Sequence, residues 1–325
     1  MYGIFRVFLN GVLLFMGTAF STLTIAQTTP TQPIRLVVGF PAGGPADIAA
    51  RILAEGLQEA LNQTVIVENR TGAGGNIAAR AVAGAQGDGL TILIATASLT
   101  VNSVLSKNAG YDPIKDFLPV AMIATQANAV VVTSKLPIST LADLQLLVKS
   151  KKISVATSGV GTSSHITAAH LFNVNWKSDA SLVPYRGAGP AGLAVAAGEA
   201  EAGFTTVTAL MNFHQMGKAK ILAVVSDKRL PELPSVPTMI ELGYKQYASS
   251  WTAMFVPSST PPAIVQKLHD VTKQLMARQD IQQKFIRQSM IPSETPPQQQ
   301  ITNFLKNEIS DWGRIIKETG SYASQ

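Results

Sequence analysis

The stretch Ile34–Leu57, IRLVVGFPAGGPADIAARILAEGL, runs from an apolar segment through a glycine-rich loop into a helical pattern. It predicts a buried strand, a turn and a helix that begins at Pro45, because proline fits the first turn of a helix. The loop Phe40–Asp47 contains no Cys, His, Ser or Lys. It offers backbone N–H groups at a helix N-terminus, which is an anion-binding arrangement. The stretch therefore favours a site that holds an anion over one that breaks a bond.

Asp47 lies near the third position of this predicted helix, and two roles for it stay open. An acid in the first turn complements the helix dipole without touching any ligand. Alternatively, its carboxylate could bind the cationic or amide-bearing part of a ligand.

The first 26 residues read as a secretory signal peptide. Met1–Asn10 carries one cation, Arg6, and Gly11–Phe20 is almost wholly apolar. Small residues at Thr24 and Ala26 then precede a cleavage position before Gln27. An N-terminal membrane anchor is the alternative. We expect an exported protein whose mature chain begins at Gln27.

Composition narrows the class of protein. The chain of 325 residues has no cysteine, so it uses neither disulfides nor thiol chemistry. Its net charge is +6, yet only 14% of its residues are charged and the basic ones are scattered. Nucleic-acid binding, which needs a concentrated basic face, is therefore not expected.

Apolar runs alternate with helical patterns along the chain, and the alternation restarts near Ile153. Continuous β-branched runs such as Leu90–Ala95 are typical of a parallel sheet covered on both faces. Two such series predict an α/β protein with two lobes. The segment Leu230–Gly243, punctuated by prolines, reads as a surface excursion. Pro296–Glu318 reads as the last helix, with Thr295 as its cap and Gly320 beyond its end.

A second loop, Gly159–His165, places three hydroxyls before a predicted helix. One hydroxyl is expected to cap the helix, and the others, with the free N–H groups, suit a carboxylate. A hydrolase with Ser163 or Ser164, His165 and Asp47 is the alternative. The chain lacks the Gly-x-Ser-x-Gly elbow that usually presents such a serine.

Two further glycine loops and the acidic and histidine residues give weaker signals. Glu68–Asn76 reads as a structural loop in which Glu68 and Arg70 could pair. Gly187–Gly192 matches G-x-G-x-x-G. No acid follows about 20 residues later, so dinucleotide binding is not expected. The N–H groups of this turn could instead bind a second end of an anion. Glu199 and Glu201 are expected to face water. The four histidines lack a metal-binding frame, so we predict neither a metal nor a cofactor.

The ordered set of motifs resembles the solute receptors of the tripartite tricarboxylate transporters, the Bug family of periplasmic binding proteins. The resemblance covers nearly all of the mature chain. It rests on Ile34–Asp47, Glu68–Asn76, Tyr111–Pro113, Gly161–His165, Pro184–Gly187, Ala223–Arg229 and Leu233–Thr238.

This resemblance implies an α/β type II periplasmic-binding-protein fold, with two lobes and a ligand cleft between them. The first lobe would comprise residues 27–127 and 251–325, and the second residues 128–250. Ala129–Thr133 and Trp251–Val256 are the candidate hinge strands. No obligate oligomer is expected.

The resemblance also implies a clamp in which the two loops hold a carboxylate from opposite lobes. The residues that it nominates are Phe40, Ala42, Gly43 and Asp47 in the first loop and Gly161, Thr162, Ser163 and Ser164 in the second. Thr96 and Ser98, after the strand Leu90–Ala95, are placed to line the same cleft. Thr205 stands where family members commonly have an acid, so ligand preference could differ here.

The expected function is therefore a periplasmic receptor that captures a small organic carboxylate and presents it to a membrane permease. No enzymatic chemistry is expected. A sensor that signals to a membrane kinase would use the same receptor and stays open as an alternative.

Overall fold

The computed structural model describes residues 32–106, 108–244 and 250–320. The predicted signal peptide, residues 1–26, lies outside the described residues. Residues from Pro33 onward belong to one compact unit that contains two β-sheets.

Six strands form the first sheet, in the spatial order β11-β4-β10-β3-β1-β2. Strand β1 pairs in parallel with β2 and β3, whereas β10 runs antiparallel to β3 and β4, and β11 antiparallel to β4. The strands are β1 (Ile34–Val38), β2 (Val65–Asn69), β3 (Thr91–Thr96), β4 (Phe117–Gln126), β10 (Ser250–Pro257) and β11 (Ile291–Pro292).

Five strands form the second sheet, in the order β7-β6-β8-β5-β9. Here β6 is parallel to β7 and β8, and β5 is antiparallel to β8 and β9. The strands are β5 (Asn128–Thr133), β6 (Ser154–Thr157), β7 (Ser181–Pro184), β8 (Ala202–Thr206) and β9 (Ala219–Val225). The chain passes from β4 to β5 through the single residue Ala127.

Helices cover the sheets, as the β-branched runs predict. Alternate residues of β1 pack on opposite sides of the first sheet, since Leu36 and Val38 join one core cluster and Val37 another. The helices of the described ranges are α1 (Pro45–Leu61), α2 (Asn76–Ala83), α3 (Ser98–Leu105), α4 (Leu141–Ser150), α5 (Ser163–Ala169), α6 (Ala188–Ala197), α7 (Val207–Gln215), α8 (Pro262–Ala277), α9 (Gln279–Ile286) and α10 (Gln298–Thr319). A π-helical segment, His170–Asn175, continues α5.

Local signals set several of these boundaries. Helix α1 begins with Pro45 at its first position and ends where Asn62 turns left-handed, with φ of 49°. Thr140 and Asp143 form a capping box at the start of α4. Helix α10 stops at Gly320, which adopts φ of 63°.

Two expectations about the chain after β9 are wrong. Thr295 does not cap α10, because its hydroxyl donates to the carbonyl of Met122 and Pro297 takes the cap position. The proline-punctuated segment is not simply a surface excursion, because Leu230, Leu233 and Val236 are buried in the core beside the second sheet.

Candidate carboxylate-binding site

A cavity lies where strand ends of the two sheets meet. The loops after β1, β3 and β6 and the end of β8 contribute to its wall, as open α/β sheets place ligands beyond the carboxyl ends of their strands. The end of β4 and the starts of β5 and β10 complete it through Gln126, Asn128 and Ser250.

Five of the described helices begin at this cavity. The residues that mark these starts on its wall are Pro45 of α1, Ser98 of α3, Ser163 of α5, Ala188 of α6 and Thr206, the N-cap of α7. Each helix N-terminus carries a partial positive charge and N–H groups without an intrahelical acceptor. Among the described residues that form the wall, none is Asp, Glu, Lys, Arg or His. The cavity is therefore suited to an anion through backbone dipoles and neutral donors.

The first loop is shaped by Asp47, which is buried at 1% exposure. Its carboxylate accepts hydrogen bonds from the Gly43 amide at 2.9 Å, from the Arg51 guanidinium at 2.9 and 3.0 Å, and from Asn69 Nδ2 at 2.9 Å. Burial by itself would raise the pKa of Asp47, but these hydrogen bonds together outweigh burial and hold the pKa below its usual value. Asp47 thus stays ionised and holds the loop that carries Phe40 and Ala42.

The second loop is held by its own hydroxyls. The Thr162 side chain caps α5 by accepting from the His165 amide at 3.3 Å, and its hydroxyl donates to the Gly159 carbonyl at 2.6 Å. Ser164 Oγ accepts from the Ser158 amide at 3.1 Å. Ser163 Oγ lies 3.4 Å from Asn128 Nδ2 and keeps its own hydrogen to donate.

The structure brings most of the predicted site residues to one cavity. Those on its wall are Phe40, Ala42, Thr96, Ser98, Thr162, Ser163 and Ser164. Gly43, Asp47, Gly161 and Thr205 lie outside the wall. Gly43 and Asp47 bond to each other, and Thr205 Oγ1 lies 2.9 Å from the wall hydroxyl of Ser158. Contact of any of these residues with a ligand stays a prediction.

The hydrolase arrangement is not assembled in the structure. His165 Nδ1 lies 2.8 Å from Thr157 Oγ1 rather than against Ser163 or Ser164. Burial lowers the pKa of His165, which favours the neutral ring. The carboxylate of Asp47 accepts its hydrogen bonds from Gly43, Arg51 and Asn69.

Four wall residues that lie within strands were not nominated from the sequence: Gln126, Asn128, Thr206 and Ser250. They lie at the ends of four different strands, and their grouping depends on strand pairing. Gly187 and its neighbours up to Pro190 also line the cavity, as the interpretation of that turn as an anion-binding element anticipates.

A second, wider cavity adjoins the first and shares Phe40, Pro41 and Ser158 with it. Within the described part of the chain, Arg186 is the one charged residue on its wall. The Glu68–Arg70 ion pair predicted for the neighbouring loop is present at 2.6 Å.

A family model described as the tripartite tricarboxylate transporter family receptor, TctC, matches residues 49–321. The chain belongs to this receptor family. It is 32% identical over 314 residues to protein BugT of Bordetella pertussis, covering 95% of this chain and 96% of that protein.

Solved structures agree with this membership. The receptor is similar to the periplasmic binding protein BugD, with a TM-score of 0.86 and 31% identity, covering 90% of this chain and 99% of BugD. It is also similar to an R. palustris protein solved with adipate, with a TM-score of 0.85 and 30% identity, over 90% of this chain and 98% of that one. The predicted fold class, an α/β periplasmic-binding-protein fold, is confirmed.

The family consists of periplasmic solute-binding receptors and not of enzymes, so the hydrolase interpretation is not retained. Among the helices described, none combines the length and apolar character needed to cross a bilayer.

Proposed function

We propose that this receptor captures a small organic carboxylate in the cavity and delivers it to the membrane permease of a tripartite tricarboxylate transporter. The observation that carries this proposal is the convergence of five helix N-termini on a wall without a charged side chain. Backbone N–H groups and the Ser163 hydroxyl would hold the carboxylate, with no counter-ion required. The adipate in the R. palustris relative supports the same ligand class.

The proposal includes two lobes, residues 27–127 with 251–325 and residues 128–250, which close on the ligand and exclude water. It also includes export and removal of residues 1–26. N-terminal sequencing of the exported protein should then begin at Gln27.

A thermal-shift screen of the chain from Gln27 onward tests the ligand class. Its panel comprises mono-, di- and tricarboxylates, amino acids and aromatic acids. A ligand at about 100 times its Kd adds roughly 2.7 kcal/mol to the free energy of unfolding. If no carboxylate raises the melting temperature, the proposal fails.

Gly189 provides a sharper test of the anion site. It lies on the cavity wall in the first turn of α6, and a Cβ added there meets nothing within 4 Å. Gly189→Asp places a negative charge at the wall, while an acid in the first turn of a helix is favourable for folding. We expect Gly189→Asp to weaken carboxylate binding at least ten-fold relative to the uncharged control Gly189→Asn. Equal affinity in the two variants would contradict an anionic ligand.

Delivery to a permease is tested in the source organism. Loss of this receptor should abolish uptake of the carboxylate found in the screen. If uptake persists and only a transcriptional response to that carboxylate is lost, the receptor is a sensor instead.

A further inference from the structure

The cavity contains buried polar atoms that no protein group satisfies. Among the residues that the structure describes, Gln126 Oε1, Asn128 Oδ1 and Thr206 Oγ1 have no hydrogen-bond partner. Their residues are 4%, 1% and 6% exposed, and all three line the cavity. An unpaired buried polar group destabilises the folded chain, so such groups are usually satisfied. Because all three residues line the cavity, a ligand bound there is the partner that could satisfy these atoms.

Strand pairing brings the three residues to one place. Asn128 is the register partner of Thr206 in the second sheet, and Gln126 is the register partner of Ser250 in the first. Gln126 and Asn128 flank Ala127, the one residue between β4 and β5. We call Gln126, Asn128 and Thr206 the crossing cluster, because they gather where the chain crosses between the sheets.

Carboxylate binding fixes which atom of the Asn128 amide faces the ligand. Asn128 Nδ2 lies 3.4 Å from Ser163 Oγ and donates to it. If the Ser163 hydrogen points to a carboxylate, its oxygen lone pair must accept from Asn128. The Asn128 carbonyl oxygen is then left to accept from something else. Gln126 has a similar pattern in the structure, because its Nε2 lies 3.4 Å from Ser250 Oγ and its Oε1 has no partner among the described residues.

These unpaired oxygens need a hydrogen-bond donor on the ligand. The electrostatics of the cavity restrict which chemical group that donor can be. An ammonium would have no anionic side chain beside it in the wall, and the five helix N-termini disfavour a cation there. A second carboxylate would face carbonyl oxygens that it cannot bond. A hydroxyl or a carboxamide N–H satisfies the oxygens without either penalty.

We propose that the ligand's other end carries a neutral hydrogen-bond donor, a hydroxyl or a carboxamide, and that the crossing cluster binds it. This inference rests on the proposed function, because it takes the carboxylate as bound at Ser163.

The test uses unbranched acids of three to six carbons whose far carbon bears a methyl, hydroxyl, carboxamide, carboxylate or ammonium group. Their affinities for the chain from Gln27 onward are measured by calorimetry. At the chain length that binds best, we expect the hydroxyl or carboxamide acid to bind at least ten-fold tighter than the other three. If the methyl, carboxylate or ammonium acid binds as tightly, the inference is overturned while carboxylate binding stands. If none of these acids and no other carboxylate binds, both proposals fail.

Two variants locate the effect in the crossing cluster. Thr206→Val should reduce the preference for hydroxyl over methyl several-fold, whereas Thr167→Val should not. Thr167 is a matched control because its hydroxyl is also buried and unpaired but lies away from the cavity wall. Gln126→Glu should shift the preference toward the ammonium acid, since it adds the missing anion. Unchanged preferences in both cluster variants would overturn the assignment.

Discussion

Asp47 and Asn128 are both 1% exposed, yet they differ completely in their partners. The carboxylate of Asp47 accepts four hydrogen bonds from groups around the first loop. The carbonyl oxygen of Asn128, on the wall of the same cavity, accepts none. The first arrangement stabilises the folded chain by itself, whereas the second leaves a polar atom unsatisfied until a ligand arrives. Burial alone therefore does not identify a ligand-binding residue, and the state of its hydrogen bonds does.

The largest expected effect on stability comes from removing the Asp47 carboxylate, whose hydrogen bonds are satisfied within the protein. Asp47→Ala removes the acceptor for Gly43, Arg51 and Asn69, and we expect it to lower the free energy of unfolding by about 2 kcal/mol in urea titrations. Asp270→Ala is the control, because Asp270 is exposed and its carboxylate accepts a hydrogen bond from the exposed Gln266 side chain. The loss of stability in this variant should stay within about 0.5 kcal/mol.

Asp47→Ala should also lower the affinity for all carboxylates by a similar factor, whether or not the ligand carries an amine. The reason is that Asp47 acts through the loop that it holds. If only amine- or amide-bearing ligands lose affinity, Asp47 contacts the ligand and the comparison with Asn128 breaks down.

Glu201 gives a smaller effect with a defined pH dependence. The Ser154 hydroxyl and amide donate to Glu201 at 2.6 and 2.9 Å and, with Lys151, lower its pKa from 4.5 to about 2. Because the folded pKa is the lower one, the stabilisation is complete above pH 4.5 and is lost as the pH falls toward 2.

We expect Glu201→Gln to cost about 1 kcal/mol at pH 7 after allowance for its partial exposure, and progressively less between pH 4.5 and 3. Denaturant titrations at each pH measure the difference. Glu199→Gln, at an exposed site, should show neither the cost nor the trend. A pH-independent cost at Glu201 would contradict the role of its charge.

The smallest expected effect lies in the crossing cluster. Asn128→Leu keeps the approximate shape of the side chain, removes an unsatisfied oxygen and loses the long 3.4 Å hydrogen bond to Ser163, so the free energy of unfolding of the free protein should change by less than about 0.5 kcal/mol. Calorimetric melting without ligand measures this. A loss of about 2 kcal/mol, equal to that of Asp47→Ala, would mean that Asn128 also supports the fold.

The sequence predicts elements best where strong local signals bound them. Caps, proline and turns place a helix at Pro45–Leu61, a helix at Leu141–Ser150 and a strand at Ala202–Thr206, and these bounds agree with α1, α4 and β8 of the structure. The sequence pattern does not indicate helices α3, α7 and α9. Helix α3 shows the reason, since buried residues lie on most of its sides and leave no polar stripe to reveal the helical period.

The cavity residues also divide into those that local sequence signals reveal and those that depend on contacts between distant segments. Both loops that the sequence nominated lie on its wall, because a glycine turn or a run of hydroxyls before a helix is visible locally. Glu201 was expected to face water, but it bonds to Ser154 on the neighbouring strand. That partner lies far away in sequence, so no local pattern could indicate it.

By itself, the sequence determined the strand–glycine–helix unit at Ile34–Leu57, the hydroxyl-bearing loop and an α/β receptor fold. These depend on residues close together in the chain, whose turns, caps and periodicity act locally. Only the tertiary structure decided that five helices begin at one cavity and that Asn128 meets Thr206 there. Strand register sets those meetings, and register is fixed by packing between distant segments. For the same reason, the full set of partners of Asp47 and the lack of one at Asn128 become visible only in the folded chain.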